Sequence, residues 1–210
     1  MGKNRIRYYI NFLIVSLTVL AMCLMVFRAD GALTATGLSG LKFFTAQSNI
    51  FRAAVSVFIL ISIFRKPSEK AKRRLAVWSL ASTCSVGVTF IVVFCFFGPL
   101  YGLPNMLRNA NFFFHMVIPV LSIIEFIVFN DVKIERTAVI AAMIHPLLYG
   151  IGYYINLTVN GIGVWPDTND WYGFVNWGFS VGFMIFGVIC LVSVLIGLLL
   201  RFLNSKVRGE

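Results

Sequence analysis

The chain has 210 residues, 59% of them hydrophobic and 12% charged, with a net charge of +10. So apolar a composition excludes an ordinary soluble domain. The basic clusters are short and carry no interleaved aromatics, which speaks against a nucleic-acid partner.

An apolar run of roughly 20 residues crosses a bilayer as a helix. Six such runs occur, at about 8–27, 43–64, 75–97, 112–129, 137–157 and 177–200. The expected fold is therefore an all-α integral membrane protein with six transmembrane helices, a single domain over residues 1–210.

The first run follows Lys3, Arg5 and Arg7, as a signal peptide would. Its apolar region is longer than the roughly 7–15 residues of a secretory core, and no small-residue cleavage site follows closely, so it is expected to be retained. Basic residues also collect in RKPSEKAKRR (65–74), at Lys133 and Arg136, and at the C-terminus. The alternate connections hold only Arg28, Lys42 and Arg108. By the positive-inside rule both termini are cytoplasmic, with anionic headgroups as partners at that face.

The second run opens with FFTAQSNIFR (43–52). At about 100° per residue, Thr45, Ser48, Asn49 and Arg52 share roughly a third of the helix circumference. Charged groups at membrane depth are costly and face the protein interior or a wet cavity, so this stripe is expected to point inward. The third run carries Ser79, Ser82, Thr83, Ser85, Gly87 and Thr89, small residues suited to close helix packing. GPLYGLPNMLRNAN (98–111) is expected to be a loop.

The fourth run, FFFHMVIPVLSIIEF (112–126), places His115, Pro119 and Ser122 on one face with Glu125 at its edge. Helices two and four run in the same direction, which puts Thr45 and His115 each about one turn from the outer boundary. Arg52 and Glu125 lie deeper, where an ion pair relieves two buried charges. The fifth run holds His145, with Tyr149 and Asn156 on the same side, and Pro146, where a kink is expected.

A haem between the two histidines is a minor idea, because His145 lies roughly 10 Å deeper than His115 at about 1.5 Å per residue. Beyond it, NGIGVWPDTNDWYGFVNW (160–177) is dense in aromatics, which settle at the membrane interface or, less favourably, form a lid. Gly178 and Gly182 have the spacing of a helix-packing motif. Cys23, Cys84, Cys95 and Cys190 all fall inside the runs without metal-ligand spacing, so neither a metal nor a cofactor is expected.

Each polar residue has a plain structural reading. Thr45 alone is more often a helix N-cap, His115 alone a donor to a neighbouring carbonyl, and Arg52–Glu125 a structural pair. Together they suggest chemistry. A threonine hydroxyl needs a base within hydrogen-bond reach, and His115 is the nearby group with a suitable ordinary pKa. Asn49, Ser48 or a backbone N–H at the start of helix two is expected to hold an oxyanion, with Asp167 or Asp170 as candidates to orient His115.

Six helices, Phe44-Thr45 opening the second, and His115 followed by Pro119 and Glu125 resemble the androgen-induced-gene family, which includes the androgen-dependent TFPI-regulating protein and bacterial six-helix relatives. The Trp165-Pro166 pair is similar to an element there, whereas Gln47-Ser48-Asn49 looks more like the bacterial relatives. The resemblance implies an intramembrane threonine hydrolase of fatty acid esters of hydroxy fatty acids or related lipid esters. Thr45 and His115 would be catalytic, with Ser48, Asn49, Arg52, Glu125, His145 and Tyr149 binding or supporting. It also implies a bacterial plasma membrane protein whose site faces outward. The alternative is a non-enzymatic lipid or small-molecule transporter or binding protein whose stripe lines a cavity.

Overall fold

The computed structural model describes residues 2–27, 37–65, 67–164 and 168–210, and among these there is no strand. Among the described residues, six helices are long and apolar enough to cross a membrane: α1 (Lys3–Phe27), α2 (Phe44–Phe64), α3 (Glu69–Tyr101), α4 (Ala110–Phe129), α5 (Thr137–Asn160) and α6 (Phe179–Val207). Arg28 and the Trp165, Pro166 and Asp167 segment lie outside the described residues.

α3 is the central helix. Its most apolar stretch is 61% buried, against 28–44% in the others. It starts at Ser68, whose side chain accepts from the Ala71 amide, with Glu69 favourably placed in the first turn. One core joins Leu80, Cys84 and Val88 of α3 to Phe126, Val139, Ala142 and Leu200. A second joins α1, α2 and α4 through Ile14, Ala21, Ala46, Phe114 and Ile118. On α1 the buried residues Asn11, Ile14, Thr18, Ala21 and Met25 alternate steps of three and four, the seam of a helix packed along one stripe.

Both α3 and α4 contain a π-helical turn, at Val93–Phe97 and Phe113–Val117. Pro99 and Pro119 follow these turns. A proline has no amide for the carbonyl four residues earlier, so the hydrogen-bond register widens ahead of it, and Gly98 and Ile118 donate five residues back. The stretch expected as a loop at 98–111 is largely short helical turns, including Gly98–Tyr101 and Leu103–Met106. α5 begins as 3₁₀ helix over Thr137–Met143, and Pro146 sits in the first α turn that follows.

The glycine pair of α6 does not form a packing motif. Gly178 is the N-cap, at φ 92°, while Gly182 lies against the Tyr154 hydroxyl and the Phe174 carbonyl. Close approach in α6 is made at Gly182 and again at Gly197, where an added Cβ would lie 2.8 Å from Val139 Cγ1.

Ion pairs gather the chain ends. Lys3 pairs with Asp131, Lys133 with Glu210 and Arg208 with Glu210. The Tyr8 and Phe64 rings touch, bringing the α2–α3 connection there as well. Both termini and most of the basic residues therefore occupy one end of the bundle, and Thr45 lies toward the other.

Candidate functional site

The α2 stripe points inward, as its spacing predicts. Ser48, Asn49, Arg52 and Ser56 are all 0% exposed, and Thr45 is half-buried at the open end. Two environments divide the stripe.

The deeper one is a closed polar network. Arg52 Nη2 donates to Glu125 Oε2 at 2.9 Å, the ion pair expected from sequence. Its remaining donors reach Ser122 Oγ (3.2 Å), Ser79 Oγ (3.1 Å), Ser82 Oγ (3.5 Å) and Asn11 Oδ1 (3.5 Å). All five guanidinium hydrogens are engaged, so Arg52 has no donor left for a ligand. Glu125 takes a second cation, Arg7 Nε, at 2.9 Å. Sequence reasoning assigned Arg7 to the basic N-terminal flank and the α3 serines to packing alone. The signal for the serines was the density of small hydroxyls on α3; Arg7 left none.

The shallower environment contains Thr45 and His115. Thr45 is not the N-cap: that position belongs to Phe43, which supplies no side-chain cap. The amides at the start of α2 are met from outside. Phe44 N–H donates to the Tyr172 hydroxyl at 3.0 Å, and Thr45 lies beside the same phenol. Burial pushes the Tyr172 phenol up to about 12, so it is neutral at any physiological pH.

His115 is 8% exposed and sits in the π turn of α4. Its Nδ1 lies 2.9 Å from the Met106 carbonyl. A carbonyl can only accept, so Nδ1 carries the proton and Nε2 holds the free lone pair. Asn49 ties the two residues' backbones together: its amide donates to the Thr45 carbonyl (2.8 Å) and the Phe114 carbonyl (3.2 Å). Among the described residues, the Thr45 and His115 side chains share no hydrogen bond.

Several supporting roles are redistributed. Asp170 does not orient His115. Its carboxylate accepts from Tyr153 Oη (2.5 Å) and from the Phe174 and Val175 amides (2.9 and 3.0 Å), fastening the aromatic segment to α5. Asp167 lies outside the described residues. Both Asn49 amide hydrogens are spent on carbonyls, and Ser48 donates to the Thr45 carbonyl at 3.0 Å and shares a hydrogen bond with Thr89 at 3.2 Å. The α2 backbone amides are thus the donors best placed for an oxyanion.

Tyr149 donates to the Lys42 carbonyl (2.8 Å) and accepts from Trp171 Nε1 (3.0 Å). His145 is sandwiched between Phe44 and Phe51, with ring centroids 4.9 and 5.4 Å away, and its Nδ1 has no partner. It adjoins the site through Phe44 without reaching Thr45 by any hydrogen bond. Trp171, Tyr172 and Phe174 pack on Tyr153, and Tyr172 meets the start of α2; Trp177 stays exposed.

A separate apolar groove of about 730 Å³ runs between α5 and α6, lined by residues including Leu147, Gly150, Tyr154, Phe183 and Gly187. Neither Thr45 nor His115 lines it. Comparison with family models, curated proteins and solved structures gives no match to this chain.

Proposed function

We propose that this chain is an intramembrane threonine-type hydrolase of lipid esters, with Thr45 as nucleophile and His115 as general base. One observation carries the reading: the Met106 carbonyl fixes His115 with Nε2 unprotonated, on a helix that Asn49 ties to the Thr45 turn.

In the reaction, Thr45 Oγ1 bonds to the ester carbonyl carbon while its proton passes to His115 Nε2. The carbonyl oxygen becomes an oxyanion facing the Phe44 and Thr45 amides. Collapse breaks the ester C–O bond, and the departing alcohol takes the proton from His115. Water, deprotonated by the same nitrogen, then releases the acid from Thr45 and restores the hydroxyl.

The resemblance to the androgen-induced-gene family supplies the substrate class, fatty acid esters of hydroxy fatty acids or related esters. The chain would be a bacterial-type relative. With the basic end of the bundle in the cytoplasm against anionic headgroups, both termini lie inside and the Thr45 end faces the extracytoplasmic side of a plasma membrane.

A second reading, a non-enzymatic lipid-binding or transport protein, is favoured by the apolar groove between α5 and α6. Arg52 serves it poorly, since its donors are consumed inside the protein. Labelling of the purified protein with a fluorophosphonate separates the two. The hydrolase reading expects labelling of the wild type that disappears in both Thr45→Ala and His115→Ala with folding intact. Labelling that persists undiminished in Thr45→Ala rules it out.

A further inference from the structure

One atom of the aromatic segment competes for a group the reaction would need. We infer that Tyr172 is a built-in plug: its phenol oxygen stands on the Phe44 amide beside Thr45, where the carbonyl oxygen of an ester substrate binds. This inference rests on the hydrolase reading of Thr45.

The proton arrangement follows from the partners. Tyr149 gives its single hydroxyl hydrogen to the Lys42 carbonyl, which can only accept, and its oxygen receives Trp171 Nε1–H. The Tyr172 oxygen accepts from the Phe44 amide at 3.0 Å and stands beside Thr45. An oxygen that accepts from a helix-start amide beside a nucleophile stands where a reacting carbonyl oxygen would be held.

The neighbouring α2 side chains Ser48 and Asn49 do not take over its role. Both spend their donors on carbonyls one turn below. The resting molecule thus satisfies the otherwise orphaned start of α2 with a neutral phenol, and a substrate carbonyl can enter only by replacing it.

The plug is held on a segment fastened on both sides of it. Asp170 fastens Tyr153 Oη and the amides of Phe174 and Val175, so Tyr172 is carried between two anchored points. Trp171 and Tyr172 stack against Tyr153 and Phe43, with centroid distances of 4.7 to 6.4 Å. Weakening either the phenol or its anchor frees the same groups.

The test compares fluorophosphonate labelling rates of the detergent-purified full chain as wild type, Thr45→Ala, Tyr172→Phe and Tyr172→Phe/Thr45→Ala. Asp170→Asn is the second route to a released plug, should Tyr172→Phe not fold. Removing one competing hydrogen bond is expected to speed labelling by roughly three- to tenfold in Tyr172→Phe. Asp170→Asn changes the rate in the same direction, and the double variant does not label. Rates equal to or below wild type in both variants, with wild-type labelling still dependent on Thr45, overturn the plug and leave the hydrolase standing. Absence of Thr45-dependent labelling from every protein overturns both.

Discussion

Replacing Glu125 with Gln is expected to cost more than replacing its partner Arg52 with Met, although the two charges face each other at 2.9 Å. The asymmetry comes from Arg7. Wild type holds two cations, Arg7 and Arg52, around one carboxylate. Arg52→Met leaves Glu125 paired with Arg7 and the cluster neutral. The hydroxyls that lose the guanidinium keep bonds of their own, since Ser122 donates to the Ile118 carbonyl and Ser82 to the Ser79 carbonyl.

Glu125→Gln instead strands a fully buried guanidinium and doubles the uncompensated charge. Breaking a buried pair this way costs about 3–5 kcal/mol, against about 1–3 kcal/mol for acceptors left short of a donor. For a chain of this length the larger figure corresponds to a drop of roughly 10 °C in Tm. Thermal unfolding of both variants in the same detergent measures the order. Arg52→Met as damaging as Glu125→Gln would show that Arg7 does not hold Glu125, and would refute the three-charge account.

Two further substitutions probe the packing. Gly197→Ala drives a methyl to 2.8 Å from buried Val139 Cγ1 and is expected to cost about 1–3 kcal/mol, whereas Gly187→Ala on the same helix meets nothing within 4 Å and should be neutral or stabilising by up to about 1 kcal/mol; their relative Tm values decide. Asn204→Ala removes a side chain that donates to the Phe126, Ile127 and Asn130 carbonyls at the end of α4, so destabilisation of about 1–3 kcal/mol is expected, with faster amide exchange in α6 near residue 204.

What was legible in the sequence is what depends on neighbours along the chain. Six apolar runs of spanning length need only hydropathy and a rise per residue, and the structure returns six helices over the same stretches, with some ends longer. The inward stripe of Thr45, Ser48, Asn49 and Arg52 follows from helical period and from the cost of exposing charge to lipid. The Arg52–Glu125 pair was legible because few intramembrane residues could neutralise either charge.

The tertiary structure alone decided which distant group meets each polar atom. Arg7 and Glu125 are 118 positions apart, and Tyr172 lies 128 beyond the Phe44 amide it caps. The Met106 carbonyl that sets the His115 tautomer is a backbone atom, identical in every residue type and therefore silent in a sequence. Local periodicity states which face a side chain occupies. Only the packing of six helices and the fold of the 168–178 segment state what occupies the space opposite, and in a buried site that partner determines the chemistry.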